Sequence, residues 1–271
     1  MSSNLIEAHK AVYEAYPLPG YMDTVWPAYQ SIAFTVERHL PRGSRILDFG
    51  AGGMDKTAVL SAMGYKMYAH DDYKDEWHRL GNNYQRLMAF AEAFSIEFHV
   101  DMDFAPESMD MVMIHDVLEH LDDSPRELLN ALLALVRPGG YLFATVPNAA
   151  NIRKRISALL GRTIHPPYDM YYWCPGEWRG HVREYVKDDM IKLGTNLGLS
   201  NVEVFSAHHM IERKVPRPAR PAYRALTVAF PGWRDTWCLV GVKPDNWQPR
   251  DAKVGHEYFE IIAPYTTYHY E

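Results

Sequence analysis

The sequence predicts an α/β protein built on a doubly wound, seven-stranded sheet, mostly parallel with one antiparallel strand and with helices on both faces. Three observations carry this expectation. Between residues 44 and 148, short apolar runs alternate with longer amphipathic runs, the pattern of strand–helix–strand units that set parallel strands side by side. The first of these strands runs into a glycine turn, Ile46-Leu47-Asp48-Phe49-Gly50-Ala51-Gly52-Gly53. The next strand ends in two acids, Asp71 and Asp72, about 20 residues on, the separation at which such folds hold a ribose diol.

Each element follows in order. Residues 1–43 read as one or two helices broken at Pro17, Pro19 and Gly20, an N-terminal helical cap. RILDFGAGG is a strand entering the turn, and KTAVLSAMG a helix closed by Gly64. KMYAHDD is the second strand, EWHRLGNNYQRLMAFAEAF a helix, SIEFHVD the third strand and MDMVMIHD the fourth. DDSPRELLNALLALVRPGG has a Ser-Pro start, an apolar stripe and a Gly-Gly stop, which predict a helix running to the glycines. YLFATVPN is the fifth strand. Beyond Asn148 come a basic helix, NIRKRISALLG, an aromatic loop over 163–185 and a helix, VKDDMIKLGTNLG. NVEVFSAH and TWCLVGVKP are two further strands, separated by a Pro- and Arg-rich insertion over 208–235. The main domain therefore spans 44–244, and 245–271 is a tail without periodicity.

Composition narrows the function. Of 271 residues, 47% are hydrophobic and 23% charged, a globular balance able to bury a large core. The net charge of −6 gives no general pull toward nucleic acid. No apolar run approaches the roughly 20 residues that cross a bilayer, and the first 20 residues lack the basic flank and apolar segment of a secretory signal. Cys174 and Cys238 form no CxxC pair, so neither a disulfide framework nor a thiolate zinc site is indicated. These features predict a cytoplasmic protein with at most peripheral membrane contact, for which NIRKRISALLG is the candidate segment.

The chain resembles the class I S-adenosylmethionine-dependent methyltransferases, with their Rossmann-like fold, over roughly residues 44–205. Asp48, Gly50 and Gly52 match the acid and first two glycines of the family's opening motif; Met54 takes the last glycine position, with Gly53 beside it. MDMVMIHDVLEHL followed by LVRPGGYLFATVPN is similar to the branch containing the ubiquinone-biosynthesis O-methyltransferases, and the aromatic loop to glycan-associated bacterial methyltransferases. The resemblance implies S-adenosyl-L-methionine as cofactor, held at Asp48, Gly50, Ala51, Gly52 and Gly53. It implies ribose binding by Asp71, with Asp72 as close competitor, an adenine contact at Asp101, with Asp103 as competitor, and His115 at the cofactor's edge.

His115-Asp116-Val117-Leu118-Glu119-His120-Leu121 sets Asp116, Glu119 and His120 at i, i+3 and i+4, one face if the segment is helical. Three readings compete. In the first the acids are ordinary helix-start charges; in the second His120, with His181 as distant partner, accepts a proton from a substrate hydroxyl; in the third Asp116, Glu119, His120 and His181 hold a divalent metal. The second is the expectation, and no metal is favoured. In the aromatic loop, Tyr172, Trp173 and Trp178 suit the faces of a sugar ring, and Arg179 and Arg183 its hydroxyls or an attached phosphate. The expected activity is therefore O-methylation of a sugar or a nucleotide- or lipid-linked glycan precursor. The alternatives are a metal-dependent quinone-precursor or RNA 2′-O-methyltransferase and a non-catalytic cofactor binder.

Overall fold

A computed structural model describes residues 3–18, 20–74, 80–209 and 215–265. Its sheet comprises β1 (Arg45–Phe49), β2 (Lys66–His70), β3 (Glu97–His99), β4 (Met109–His115), β5 (Val136–Pro147), β6 (Ser200–Ala207) and β7 (Thr236–Val242). Their order is β3-β2-β1-β4-β5-β7-β6. β7 runs antiparallel to both neighbours while the other pairings are parallel, so the predicted sheet is the observed one.

Apolar residues fill both faces. On one side Val12, Ile32, Val36, Leu60 and Leu87 cover Met111, Phe143 and Cys238. These come from α1 (Ser3–Ala15), α2 (Trp26–His39), α3 (Asp55–Ala62) and α4 (Asn83–Ala93). Buried Leu5, Ala8 and Val12 recur at helical spacing on α1, so the N-terminal helices belong to the core they cover. The Tyr29 hydroxyl on α2 donates to Asp55 Oδ2 at 2.6 Å, a buried polar clasp onto the start of α3. On the other face, Leu129, Leu132 and Leu133 of α5 (Pro125–Leu135) and Met190 and Leu197 around α8 (Lys187–Asn196) pack on Val112, Ile114 and Leu239.

Three elements depart from the sequence reading. Helix α5 stops at Leu135, and Val136-Arg137-Pro138-Gly139-Gly140 opens β5 instead of ending a helix. Gly140 is needed there: a Cβ would lie 2.8 Å from the Asp110 carbonyl and 2.7 Å from Val136 Cγ1. Helix α4 starts at Asn83, after a turn whose Gly81 has φ +57°; residues 76–79 of the predicted helix lie outside the described residues. The tail contains α10 (His256–Ile262), and its Trp247 is buried, donating Nε1–H to the Leu197 carbonyl at 2.8 Å. Between β5 and α8 lie α6 (Ile152–Leu159) and α7 (Tyr168–Tyr172), and the β6–β7 insertion carries α9 (Arg220–Ala229).

Candidate active site

β1 has β2 on one side and β4 on the other, so the strand order reverses there and a crevice opens at the strands' carboxyl ends. It is a cleft of about 820 Å³, within the range that takes small molecules. Its floor is the glycine turn. Gly50 (φ +73°) and Gly52 (φ +51°) hold left-handed conformations, and a Cβ on Gly50 would stand 2.4 Å from Val117 Cγ2. At Gly52 a Cβ would meet nothing within 4 Å, so the backbone there is bare toward the cleft. The amides of Gly50 and Ala51 are anchored on the His70 carbonyl at 2.8 and 3.0 Å. Asp71, ending β2, accepts from Gly52 N–H at 2.8 Å and Tyr73 N–H at 2.9 Å, which fixes its carboxylate at the turn. Its remaining lone pairs stay available to a ligand diol. A bare glycine cradle beside a fixed acid fits the nucleoside part of an adenosyl cofactor.

A second constellation adjoins the cleft. After β4, Asp116 takes φ +56°, which breaks helical continuity, and the chain makes only a single 3₁₀ turn, Leu118–His120. That turn drives Glu119 inward, fully buried, while His120 lines the cleft. The Glu119 carbonyl accepts from Val182 N–H (2.7 Å) and Arg183 N–H (3.2 Å), stapling the aromatic loop to the turn. His120 Nδ1 lies 2.7 Å from the Arg179 carbonyl, which only accepts, so Nδ1 carries the proton and Nε2 presents a lone pair. His181 Nδ1 likewise donates to Glu184 Oε1 at 2.8 Å. The two Nε2 atoms each stand 3.9 Å from Glu119 Oε1, and the rings meet edge to face. Among the described residues, neither Glu119 carboxylate oxygen has a hydrogen-bond partner.

Electrostatics follow from that burial. Desolvation, reinforced by Asp116, pushes the Glu119 carboxyl well above the ordinary carboxylate range. Burial, with His120 and Lys154 adding repulsion, pulls His181 down to about 4, so its ring is neutral at physiological pH. Glu119, His120 and His181 bring donor atoms within 4.8 Å of one another, a two-histidine, one-carboxylate set whose rings are already oriented by Arg179 and Glu184.

Residues 23–204 match a family model described as a methyltransferase domain. The chain belongs to that family. With the sheet order and glycine turn above, the chain carries a class I S-adenosylmethionine-dependent methyltransferase domain. It is 24% identical over 171 residues to the ubiquinone biosynthesis O-methyltransferase of Cupriavidus pinatubonensis, covering 60% of this chain and 62% of that one. To the Aeromonas salmonicida enzyme of the same name it is 27% identical, covering 62% and 67%. Against the Burkholderia thailandensis enzyme of that name the match spans about half of the relative's length, 52%. Its fold is shared with the structure of the Haloferax volcanii Trm112 methyltransferase activator in complex with a methyltransferase (TM-score 0.56, 16% identity, 91% of this chain and 100% of that one). An Archaeoglobus fulgidus SAM-dependent methyltransferase is a further match (TM-score 0.50, 14% identity, 79% and 94%).

In this methyltransferase the predicted site residues divide. Gly50, Gly52, Gly53, Asp71, Asp72, His120, Trp178 and Arg179 line the cleft. Asp48 does not; it is buried beneath the turn, accepts from Thr57 Oγ1 at 2.7 Å, and is raised to about 6 by burial. His115 faces inward, against Thr145 Oγ1 (3.1 Å) and the Phe143 ring, because strand alternation turns it away from the opening. Asp101 sits in the exposed stretch after β3, outside the cleft lining, as does Asp103. Tyr172 and Trp173 project to solvent from the end of α7, and Arg183 pairs with Asp189. The helical face that would have joined Asp116 to Glu119 and His120 does not form, so Asp116 leaves the set of four considered for a metal and pairs with Lys56 at 3.6 Å.

Other site residues escaped sequence reasoning. Tyr21 reaches the cleft from the N-terminal segment, and Asp122, Asp123 and Glu127 line its rim. Glu184 orients His181 from three residues on, a spacing the sequence displays. Lys154, in the middle of the basic helix NIRKRISALLG, is buried against Glu184. Asp72 is taken by Arg179 Nη2 at 3.4 Å, a bond from the aromatic loop across to β2.

Proposed function

We propose that the protein methylates a hydroxyl of an uncharged, polyhydroxylated small molecule, sugar-like in polarity, with Glu119, His120 and His181 holding a divalent ion next to that hydroxyl. The observation that carries this reading is the convergence of two imidazole lone pairs on a buried carboxyl group that has no hydrogen-bond partner among the described residues. A buried polar group left unpaired costs about 1–3 kcal/mol or more, and a cation answers all three donors at once. The donors lie within 4.8 Å of one another, and would have to draw somewhat closer to share one ion. This reading replaces the expectation that no metal is needed.

The lining favours hydroxyls over anions. Asp71, Asp72, Asp116, Asp122, Asp123, Glu127 and Glu177 face Lys74 and Arg179 around the cleft, an excess of acids that repels a phosphate-linked substrate. Trp178 and Tyr21 provide ring faces for stacking. The relatives' names support transfer to oxygen.

The chain's residues divide the work. The glycine turn and Asp71 hold the cofactor, which supplies a methyl group already activated by positive sulfur. Glu119, His120 and His181 would hold the ion, which would supply a Lewis acid able to lower the pKa of a nearby hydroxyl. Glu184 and the Arg179 carbonyl keep both Nε2 lone pairs aimed inward, while the aromatic loop screens the site from water.

Exhaustive chelation should abolish turnover, with recovery on adding Mg²⁺, Mn²⁺ or Zn²⁺. Calorimetric titration of the same ions should show a single site that Glu119→Gln and His181→Ala each weaken by about 10-fold or more. Full turnover by protein verified to be metal-free would return the proton to His120 acting alone.

A further inference from the structure

Two stretches leaving the carboxyl edge of the sheet expose apolar side chains to a degree a free surface rarely tolerates. Around α6 and α7, Leu159 (86% exposed), Leu160 (61%) and Trp173 (75%) stand in solvent, with Tyr168, Met170 and Tyr171 more than half exposed. Around α9, Val228 (71%) and Phe230 (51%) do the same. Apolar exposure on this scale marks a docking surface.

The same stretches are cationic. Residues 151–173 expose Arg153, Arg155 and Arg162 against a single acid, Asp169, with Lys154 buried against Glu184; residues 215–234 contain Arg217, Arg220, Arg224 and Arg234 and no acid. The chain as a whole carries −6, so positive charge is gathered where the apolar groups are. The fold also roots both stretches at one place. Pro147, ending β5, and Ala207, ending β6, each pair with Thr236 at the start of β7. Beside them, the Asn148 amide donates to the carbonyls of Gly232 (2.9 Å) and Arg234 (2.7 Å), joining the base of one excursion to the base of the other.

We propose that the two stretches form one docking surface for an anionic lipid bilayer, on the end of the sheet that carries the cleft. Leucine, valine and phenylalanine enter the headgroup boundary, tyrosine and tryptophan sit at that boundary with their polar edges outward, and the arginines meet lipid phosphates. A second copy of the chain is the poorer occupant, since it would set these arginines against one another. The inference stands apart from the substrate reading and is tested without turnover.

The full chain should co-sediment with vesicles of phosphatidylcholine and phosphatidylglycerol, bind vesicles of phosphatidylcholine alone far less, and be released by raised salt. The pairs Leu159→Ser with Leu160→Ser, and Val228→Ser with Phe230→Ser, should each weaken binding about tenfold or more. Arg153→Gln, Arg162→Gln and Arg217→Gln together should weaken it by roughly tenfold or more on anionic vesicles. Unchanged thermal melting and S-adenosylhomocysteine affinity would show that these variants fold. Failure of the folded wild type to bind anionic vesicles overturns the proposal. So does equal binding by all the variants, or a concentration-dependent dimer in light scattering that the serine variants dissolve while no vesicle binding is seen.

Discussion

Asp48 shows how one residue can serve the turn without facing the ligand. Its carboxyl is buried under the glycines and held by Thr57, and burial raises it to about 6. In the unfolded chain it titrates near 3.9. Below about pH 4 both states are protonated; between about 4 and 6 only the folded state keeps the proton, so stability is lost as pH rises through that window. Two pKa units correspond to about 3 kcal/mol. Asp48→Asn imitates the protonated acid and should flatten this slope, measured by urea unfolding at pH 4.5 and 7. An unaltered slope would assign the proton to another group. The sequence identified Asp48 by motif, yet could not distinguish a ligand from a support. That difference depends on which way a strand side chain points relative to a cleft formed by residues far along the chain.

At the scale of elements, the clasp between α2 and α3 determines how firmly the N-terminal helices are held. Tyr29→Phe would leave the buried Asp55 carboxylate without its 2.6 Å partner, at a cost of about 1.5–3 kcal/mol. A thermal melt should register a drop of several degrees in a chain this size. The strands and most helices were legible, since apolar runs and caps such as Ser124-Pro125 are local signals. His115–Leu121 was not. Its i, i+3, i+4 pattern suits a helix, but the left-handed Asp116 prevents one, and backbone hydrogen bonds to Val182 and Arg183 stabilise the 3₁₀ turn from 60 positions away. The trio therefore assembled around Glu119, with His181 as foreseen and without Asp116. The end of α5 was misread for a similar reason. The glycines of Arg137-Pro138-Gly139-Gly140 resemble a helix stop, whereas Gly140 is required by close contact with β4.

Across the whole molecule, charge is sorted by place: acids ring the cleft and arginines gather on the stretches beside it. No helix among the described residues is long and apolar enough to cross a membrane. Between acid ring and basic stretches runs Arg179. Its carbonyl holds the His120 ring, and its guanidinium reaches Asp72 on the opposite bank at 3.4 Å, about half exposed on both sides. An ion pair so open to water contributes less than about 1 kcal/mol. Arg179 is thus a drawbar rather than a wall: thermal motion lifts it often, and dissolved ions weaken its hold. The rates at which S-adenosylhomocysteine enters and leaves should therefore climb with ionic strength, as stopped-flow fluorescence can follow through Trp178. An Arg179→Met chain, having no bar to lift, should show the same fast exchange in any buffer.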